Sequence, residues 1–412
     1  MRFVKYFSKN LIICILIKLL LEYIYINYIT IFSYEGYTLD YNITKYIIGF
    51  IGFLITFMVC NYKKTNISLI INLFFLTYVV PNIVFYSLTN HNTGYFIALI
   101  SSFNLVILCI RNSKKVQTLS FGKFGNRHIN IIAIIMVLAC LIHYIIVLRG
   151  NFVLSFRKVY EFRAEFDSAV GNGLWGYINS IVPKILLVYL LSTAVFERHK
   201  KKILLYVVFF FLLFIFSGHK GVLKGIPLIL FFYYLFRNKT SLTKFYLIFL
   251  FFYTCVFLVG TQNSMVGALL IRRLLFVPVL LNFKYFEFFS NNVKIYWSES
   301  ILKSFIDYPY DLSSTHVIGA YLGDSDVGAN TGYVASGYMN CGYIGILIYT
   351  LILIYIFNVI NAGVLKFKNI YTSYALVYVA VNSIIISSDL FTSMLTHGVF
   401  VLLLIFWFRK SE

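Results

Sequence analysis

The first residues with recognisable chemistry are cations in a long polar segment. Residues 149–173 read RGNFVLSFRKVYEFRAEFDSAVGNG and include Arg157 and Arg163. A guanidinium can hold phosphate oxygens through two parallel hydrogen bonds, and the glycines that end the segment allow the backbone to approach a ligand closely. We therefore predict that Arg163, together with Arg157, binds an anionic ligand. The alternative is an amphipathic helix at the membrane interface, in which these cations pair with the acids of the same segment.

Two further cationic positions lie between or inside apolar runs. Lys220 belongs to Ser217-Gly218-His219-Lys220-Gly221, a turn between two short apolar runs, and is predicted to begin a helix at the water boundary. A lysine beside the unpaired amides of a helix N-terminus forms an anion site, although a lysine in a tight turn can also simply extend its ammonium into water. Arg272 and Arg273 interrupt the apolar stretch 265–283, where charge is costly unless it faces a cavity or a lipid headgroup.

A polar segment between residues 307 and 343 carries a candidate base. His316 is the one histidine of this segment, and Asp311 lies five positions before it. We predict that His316, or failing it Asp311, orients or deprotonates a hydroxyl group, the alternative being a purely structural histidine. Asp324-Ser325-Asp326 lacks the further oxygen ligands of a calcium loop. The chain has no zinc, phosphate-loop, nucleophile-elbow or dinucleotide pattern either, so no metal and no cofactor are predicted.

The same segment holds candidate contacts to a substrate, namely Asn330, Tyr333 and Tyr338. A tyrosine ring can stack on the face of a sugar, but tyrosines are also common where a protein meets the membrane interface. Both readings apply to the tyrosines of this segment, which stand at positions 308, 310, 321, 333 and 338.

The composition of the chain requires a lipid environment. Of its 412 residues, 60% are hydrophobic and 12% are charged, and the mean hydropathy is +0.83. A soluble domain of this length has no use for so much apolar surface, whereas about twelve helices of about 20 residues each would account for it. The predicted fold is therefore all-α, a single polytopic membrane domain over residues 1–412. The runs predicted to cross lie near 11–32, 43–60, 67–88, 94–110, 129–148, 174–196, 203–217, 221–236, 243–260, 342–361, 369–388 and 393–408.

One further apolar stretch does not fit this pattern. Residues 265–283 are interrupted by the two arginines and by Pro278, so we predict a half-span or an interfacial helix there. It falls within 261–341, the longer of the two long polar segments; the other is 149–173.

Alternating charge predicts which side of the membrane each loop faces. Lysine and arginine dominate every second loop, beginning with Arg2 to Lys9 and ending with Arg409 and Lys410, and the other loops hold 12 of the 15 acids. By the positive-inside rule the basic loops and both termini are cytoplasmic. The two long segments are then extracytoplasmic, and a long loop favours recognition or chemistry on its side. Orientation also explains the net charge of +20 without any nucleic-acid partner.

The residues ahead of the tenth predicted span resemble a known family signature. The stretch Asn330-Thr-Gly-Tyr-Val-Ala-Ser-Gly-Tyr-Met-Asn-Cys-Gly-Tyr-Ile-Gly is similar to the last outer loop of O-antigen polymerases, the Wzy-type polymerases of oligosaccharide repeat units. The positions that match are Asn330, Gly332, Asn340, Gly342 and Gly345. Where many relatives carry an acid, this chain has Ser336-Gly337-Tyr338, so no role is transferred there.

Two cationic positions add to the resemblance. The turn that contains Lys220 looks like the family's Ser-Gly-x-Arg-Gly turn, with lysine in place of arginine. That substitution keeps the charge and loses the two-pronged hydrogen bond. Arg163 and the following Gly173 are similar to the Arg-x-Gly pattern of the family's outer loops.

The resemblance implies a GT-C-like membrane glycosyltransferase at the outer face of the bacterial cytoplasmic membrane. Its donor would be an undecaprenyl-diphosphate-linked oligosaccharide, and its acceptor a sugar hydroxyl on a second such unit. The product would be O-antigen for lipopolysaccharide, capsule or exopolysaccharide. Membrane lipid, a chain-length regulator and a flippase of the same pathway would be the other partners.

The resemblance also assigns roles to the candidate residues. Arg163, Lys220 and the arginines at 272 and 273 would hold the diphosphate, whose negative charge grows as the glycosidic bond breaks. His316 or Asp311 would act on the acceptor hydroxyl.

Three other functions remain open. An O-antigen ligase-type transferase shares the donor and the fold but passes the chain to a different acceptor. A flippase or other transporter of lipid-linked sugars also has about a dozen helices, although transporters usually keep polar residues at the bundle centre. The third is a membrane subunit without catalysis.

Overall fold

The computed structural model describes residues 2–62, 65–110, 124–148, 166, 169, 173–262 and 264–410. Within these ranges the chain forms helices and no β-strand, as the composition predicts. The helices are α1 (Arg2–Asn27), α2 (Ile43–Tyr62), α3 (Ser68–Leu88), α4 (Thr93–Leu108), α5 (Asn126–Val147), α6 (Gly173–Phe196), α7 (Lys200–Ser217), α8 (Gly225–Arg237), α9 (Leu242–Gln262), α10 (Met265–Asn291), α11 (Ser314–Tyr321), α12 (Tyr333–Gly363), α13 (Ile370–Ser387), α14 (Leu390–Thr396) and α15 (Val399–Phe408).

Most of these helices have the length and composition of membrane spans. In the described part of the chain nine are long and apolar enough to cross a membrane, and the pair α14–α15, bent by 61°, is a tenth candidate. Each predicted apolar run overlaps a helix or this pair. A helix satisfies its own backbone polar groups, which hydrocarbon requires. The chain therefore has a multi-pass helical architecture.

The chain divides into two compact units. Unit 1 comprises residues 1–110, 240–357 and 384–390, and unit 2 comprises residues 111–239, 358–383 and 391–412. Unit 1 contains α1–α4, α9–α11 and most of α12. Unit 2 contains α5–α8, all of α15, and most of α13 and of α14.

One end of unit 1 is formed by residues 28–42, which follow α1, and residues 89–92, which follow α3; we call it the distal end. The N–H of Asp40 donates to the carbonyl of Leu88 at 2.9 Å. At the start of α2, Nζ of Lys45 donates to the carbonyl of His91 at 2.7 Å. These bonds join the two connections, so the far ends of α1 and α3 lie together.

Helix α10 begins and ends at this distal end. Near its start, Gly267 packs so closely against Tyr28 that a Cβ there would collide with the tyrosine hydroxyl. Near its other end, a carboxylate oxygen of Glu287 lies 2.9 Å from Nδ1 of His91. Although α10 is long and apolar enough to cross a membrane, these contacts keep both of its ends at one end of unit 1.

The sequence-based prediction for this stretch was wrong about its extent. The helix does not stop near residue 283 but continues to Asn291. Residues Ala268–Phe276 form π-helical turns, and Pro278 falls in the first turn of the α-helical part that follows. Because proline has no N–H, Pro278 cannot donate to a carbonyl of the helical turns that precede it, and the regular hydrogen-bond pattern of the helix is interrupted there.

Helix α1 carries a buried ion pair. Lys18 and Glu22 stand one helical turn apart and form a direct salt bridge, with side-chain exposures of 0% and 9%. The ammonium of Lys18 also lies 4.5 Å from the ring centroid of Tyr46, whose hydroxyl donates to Glu22 at 3.3 Å. Each charge is thus compensated inside an apolar helix bundle.

In unit 2, Arg409 anchors the end of α15. Its guanidinium carbon lies 3.8 Å from the ring centroid of Phe367, and its Nη1 donates to the hydroxyl of Tyr189 at 3.1 Å. Nε donates to the carbonyl of Lys366 at 3.3 Å. The sequence predicted Arg409 only as a cytoplasmic loop cation, whereas the structure shows that it holds parts of unit 2 together.

Candidate functional site

A polar cavity lies in the segment between α10 and α11, in unit 1. Its volume is 340 Å³. Its wall combines carboxylates, hydroxyls and one ammonium with two apolar side chains, and the lining residues are Ser298, Glu299, Lys303, Ile306, Asp307, Tyr308, Asp311, Leu312 and Ser313. Such a wall can donate and accept hydrogen bonds at several places, which suits a small ligand rich in hydroxyl groups.

Helix α11 begins at the rim of this cavity and carries His316. The hydroxyl of Ser313, which lines the cavity, lies 2.8 Å from Nδ1 of His316. Both carboxylate oxygens of Glu299 accept from the N–H of Ser314, at 3.2 and 3.3 Å, where the helix N-terminus favours negative charge. His316 is half-buried, and Asp311 is exposed on the same cavity. Asp311 thus lines the cavity itself, whereas His316 lies behind Ser313 at its rim.

Tyr308 lines the cavity with a hydroxyl group whose hydrogen is already engaged. Its hydroxyl donates to the carbonyl of Leu312 at 2.9 Å. Burial raises the pKa of the Tyr308 phenol above its usual value, and the negative charge of Glu299 raises it further. The phenol therefore stays protonated at neutral pH and does not serve as a base.

The segment around Asn330 packs beside α11. The N–H of Ala329 donates to the carbonyl of Thr315 at 3.0 Å, and the hydroxyl of Tyr285 donates to the carbonyl of Ala329 at 2.8 Å. Asn330 itself is exposed. The predicted contact residue Asn330 is therefore fixed by its backbone neighbours next to the helix that carries His316.

Tyr333 and Tyr338 lie in the interior of unit 1. Tyr333 is 1% exposed, and its hydroxyl accepts a hydrogen bond from Ser102 at 2.9 Å. The ring centroid of Tyr338 lies 4.7 Å from that of Phe286, and the ammonium of Lys294 lies 4.9 Å from the Tyr338 ring. Neither ring presents an open face on which a sugar could stack.

Asn340, one of the residues that carry the family resemblance, holds the start of the cavity segment. Its side-chain oxygen accepts from the N–H of Trp297 at 2.7 Å. The indole N–H of Trp297 donates to the hydroxyl of Tyr349 at 2.9 Å, and that hydroxyl donates to Asp389 at 2.6 Å. Trp297 has a φ of 59°, a left-handed conformation that costs free energy in a bulky residue unless neighbours enforce it. The hydrogen bonds of its backbone and indole N–H groups hold Trp297 in this conformation.

The glycines of the same signature shape α12. Gly342 has a φ of 60° and a ψ of −143°, where the helix breaks, and this region of backbone space is open essentially to glycine alone. Three residues on, Gly345 approaches Gly337 so closely that a Cβ would collide with the carbonyl of Gly337. The break lets residues 333–340 meet the cavity segment at an angle to the rest of the helix.

Arg272 is already engaged inside unit 1. Its guanidinium pairs with the carboxylate of Glu35 and lies 4.8 Å from the ring centroid of Phe32. The side chain is 19% exposed. Arg273, by contrast, is exposed. Of the predicted pair, Arg273 is accessible to a ligand, whereas Arg272 fastens α10 to the distal end.

Lys220 begins a short turn in unit 2. Helix α7 ends at Ser217, Gly218 follows with a φ of 66°, and a 3-10 turn over Lys220–Lys224 leads into α8. The N–H of His219 donates to the hydroxyl of Ser217 at 3.2 Å. Lys220 and Lys224 are both exposed at this turn.

The other two predicted cations, Arg157 and Arg163, lie outside the described residues.

Unit 2 also contains a polar cluster that the sequence analysis missed. Nζ of Lys184, in α6, lies 2.7 Å from Nδ1 of His397 and donates to the hydroxyl of Ser180 at 2.9 Å. The signal was present in the sequence, because a lysine inside an apolar run predicts a functional site. Its partner His397 stands 213 positions away and could not be identified from spacing.

Within the described ranges, no three histidine, cysteine or carboxylate side chains converge as a metal site would require. No family model, no curated protein and no solved structure matches the chain. The chemistry of the site is therefore read from its own residues.

Proposed function

We propose that the chain is a membrane glycosyltransferase that polymerises undecaprenyl-diphosphate-linked oligosaccharide repeat units at the outer face of the bacterial cytoplasmic membrane. The proposal includes twelve crossings in a GT-C-like arrangement, cytoplasmic termini and an outward-facing distal end. It also includes the pathway partners expected of such an enzyme, a flippase and a chain-length regulator.

The observation that supports this proposal most strongly is the polar cavity beside His316. Its volume of 340 Å³ falls within the range of small-ligand pockets, roughly 300–1,000 Å³. The segment that forms it follows directly on the last turn of α10, next to the distal end. A sugar would thus reach the cavity from the water side of unit 1. A transporter would instead be expected to hold its sugar near the bundle centre.

The proposed reaction transfers a glycosyl group from diphosphate to a hydroxyl. The acceptor oxygen forms a bond to the anomeric carbon, and the bond between that carbon and the diphosphate oxygen breaks, so that undecaprenyl diphosphate leaves with the electron pair. The acceptor proton passes to His316. With Nδ1–H donating to Ser313, Nε2 carries the lone pair that accepts this proton. Asp311, in the same cavity, would orient the acceptor.

The leaving group needs positive charge as the bond breaks. Lys220, exposed at the turn between α7 and α8, and Arg163 are proposed to supply it. Preorganised cations stabilise the transition state more than the bound substrate, because the negative charge on the diphosphate grows during the reaction.

The test is chain growth with purified components. The full-length protein in proteoliposomes is incubated with a lipid-linked repeat unit, and the products are separated by size. We expect a ladder of lipid-linked chains. In cells, deletion of the gene should leave lipid carriers that each bear a single repeat unit. Full-length chains that fail to attach to their final carrier would instead identify a ligase, and the absence of any lipid-linked glycan at the outer face would identify a flippase.

His316 provides the residue-level test of the proposal. We expect His316→Ala and His316→Gln to reduce the rate of chain growth at least about 100-fold, the usual contribution of a general base. The matched control is His199→Ala, at an exposed histidine whose ring pairs with Glu197 in unit 2. Chain growth at the wild-type rate in both His316 variants would remove His316 from the mechanism.

A further inference from the structure

Lys184 lies in a part of α6 that departs from regular helix geometry. Residues Val182–Leu186 form a π-helical turn that includes Pro183. Such turns are rare, and within α-helices they occur frequently at functional sites. A lysine inside a membrane-spanning helix is also costly unless it has a compensating partner. Two independent features of the sequence and fold thus coincide at Lys184.

His397 reaches Lys184 because the last candidate span is bent. The 61° bend between α14 and α15 falls at residues 397 and 398. Gly398 has a φ of 80° and lies so close to Ile185 that a Cβ would collide with it. The bend therefore packs against α6 at Lys184 and Ile185. This packing brings Nδ1 of His397 to 2.7 Å from Nζ of Lys184.

The hydrogen bonds of this cluster fix which atoms remain available. An ammonium only donates, so Nδ1 of His397 must accept from Lys184, and Nε2 of His397 then carries a hydrogen. A second N–H of Lys184 is directed to Ser180, which leaves a third N–H for a ligand. The cluster therefore offers two donors, one from each of the two residues.

The charge of the cluster is uncompensated within the described residues. Gly225, the neighbour of Lys224, packs so closely against Val188 of α6 that a Cβ would collide with it, which places Lys224 near the turn that follows Lys184. The described part of the chain provides no carboxylate that pairs with either lysine or with His397. Lys184, His397 and Ser180 are partly exposed, and Lys224 is exposed. An anion could therefore reach all four residues.

An apolar surface leads to the cluster along α6. Leu174, Tyr177 and Ile181 precede Lys184 at spacings of three and four residues, which places them on one helix face. Leu174 is 76% exposed and Tyr177 is 45% exposed. A ligand with an anionic head and an apolar tail could thus contact the cations and this face together.

We propose that Ser180, Lys184, Lys224 and His397 form a binding site for the phosphate or diphosphate group of a polyprenyl lipid. Phosphate oxygens accept hydrogen bonds and carry negative charge, which matches a site of donors and cations. The inference deepens the proposed function and rests on it for the identity of the lipid. The diphosphate would then be bound by a cluster between helices of unit 2 and not by loop residues alone.

The test measures binding without any sugar transfer. Polyprenyl diphosphate without a glycan is titrated into the purified full-length protein in detergent, with polyprenol as the uncharged comparison. We expect Lys184→Met to weaken binding at least tenfold and Lys184→Arg to stay within about threefold of wild type. His397→Ala, which removes the second donor, should also weaken binding. The matched control, Lys201→Met at an exposed lysine of α7, should bind as wild type does.

A second measurement needs no variant. An amine-reactive reagent is applied to the wild-type protein with and without polyprenyl diphosphate, and modification of Lys184 is followed by mass spectrometry. Protection of Lys184 is expected. Inorganic pyrophosphate forms a further arm: competition with the lipid shows that the free diphosphate also occupies the site, whereas no competition shows that the lipid tail is required.

Two outcomes would overturn the inference. One is wild-type affinity in Lys184→Met, and the other is equal affinity of the wild-type protein for polyprenol and polyprenyl diphosphate. These outcomes are separate from the fate of the proposed function. Lys184-dependent binding by a protein that makes no polymer would reject the polymerase, and polymer formation with Lys184-independent binding would reject only this site.

Discussion

The backbone N–H of Trp297 donates a hydrogen bond to the side-chain oxygen of Asn340 at 2.7 Å. The amide nitrogen of Asn340 donates in turn to the carbonyl of Ser336 at 2.8 Å and to the hydroxyl of Tyr349 at 3.2 Å. Asn340 is 2% exposed, so water is not available to replace these bonds. One buried amide thus ties the cavity segment to α12.

Asn340→Ala should destabilise unit 1. The change leaves the N–H of Trp297 without this acceptor, and a buried polar group that loses its partner costs about 1–3 kcal/mol. The midpoint of thermal inactivation in detergent should fall, and chain growth should slow because the cavity segment loses its attachment. The matched control is Asn292→Ala, whose amide is exposed. Equal midpoints for the two variants would contradict the role given to Asn340.

Gly342→Ala should be costly although the added group is a single methyl. At a φ of 60° and a ψ of −143° an alanine is strained, by about 1–3 kcal/mol. The same change at Gly125, where φ is −74° and only His128 comes within 4 Å of an added Cβ, tests whether a lost glycine alone has any effect. We expect lower thermal stability for Gly342→Ala and little change for Gly125→Ala. A stable Gly342→Ala protein would show that the break in α12 does not need this conformation.

Arg272 and Arg273 should respond differently to the same substitution. Arg272→Ala removes the partner of Glu35 and the contact with Phe32, so thermal stability should fall. Arg273 is exposed, so Arg273→Ala should leave stability within about 0.5 kcal/mol of wild type. If Arg273 contacts a substrate, its variant loses activity at constant stability. Partial recovery of stability on adding Glu35→Gln to Arg272→Ala would confirm the ion pair, and identical stabilities for the two single variants would refute this division of roles.

The ion pair in α1 should be far more sensitive to single than to double substitution. Glu22→Ala leaves the fully buried ammonium of Lys18 unpaired, which is expected to cost about 3–5 kcal/mol. The double variant Lys18→Met, Glu22→Leu removes both charges at similar volume and should recover most of that loss. Yield of folded protein after membrane extraction, with thermal stability, measures both. A double variant no better than Glu22→Ala would argue that the pair has a role beyond charge compensation.

The sequence predicted the helices well because the backbone N–H and C=O groups of an apolar run must pair within the run when it lies in hydrocarbon, and a helix with apolar side chains on its surface does this. It also singled out His316, with Asp311 as the alternative, and the structure places Asp311 in the wall of the cavity and His316 beside Ser313 of that wall. The signature at Asn340, Gly342 and Gly345 suggested a special site, and its structural meaning became clear only with the contacts of Trp297 and Gly337.

The sequence could not reveal which ionisable groups meet across helices. Arg272 was assigned to a ligand, but Glu35 reaches it from a connection more than 200 residues earlier. Tyr333 was expected to face a sugar, yet its hydroxyl points to Ser102. Such pairings depend on packing between distant elements, whereas runs and signatures depend on neighbours in the chain.

The course of α10 also bears on the side of the membrane to which each later loop is assigned. Because both ends of α10 contact one end of unit 1, we predict that α10 does not cross the membrane and that α9 ends on the side from which α12 begins. A topology that counts α10 as a membrane crossing assigns every later loop to the opposite side of the membrane. Single cysteines placed at Asn92 and at Asn292, one before α4 and the other just after α10, should therefore react with an impermeant thiol reagent from the same side of the membrane, on a background in which the native cysteines are replaced.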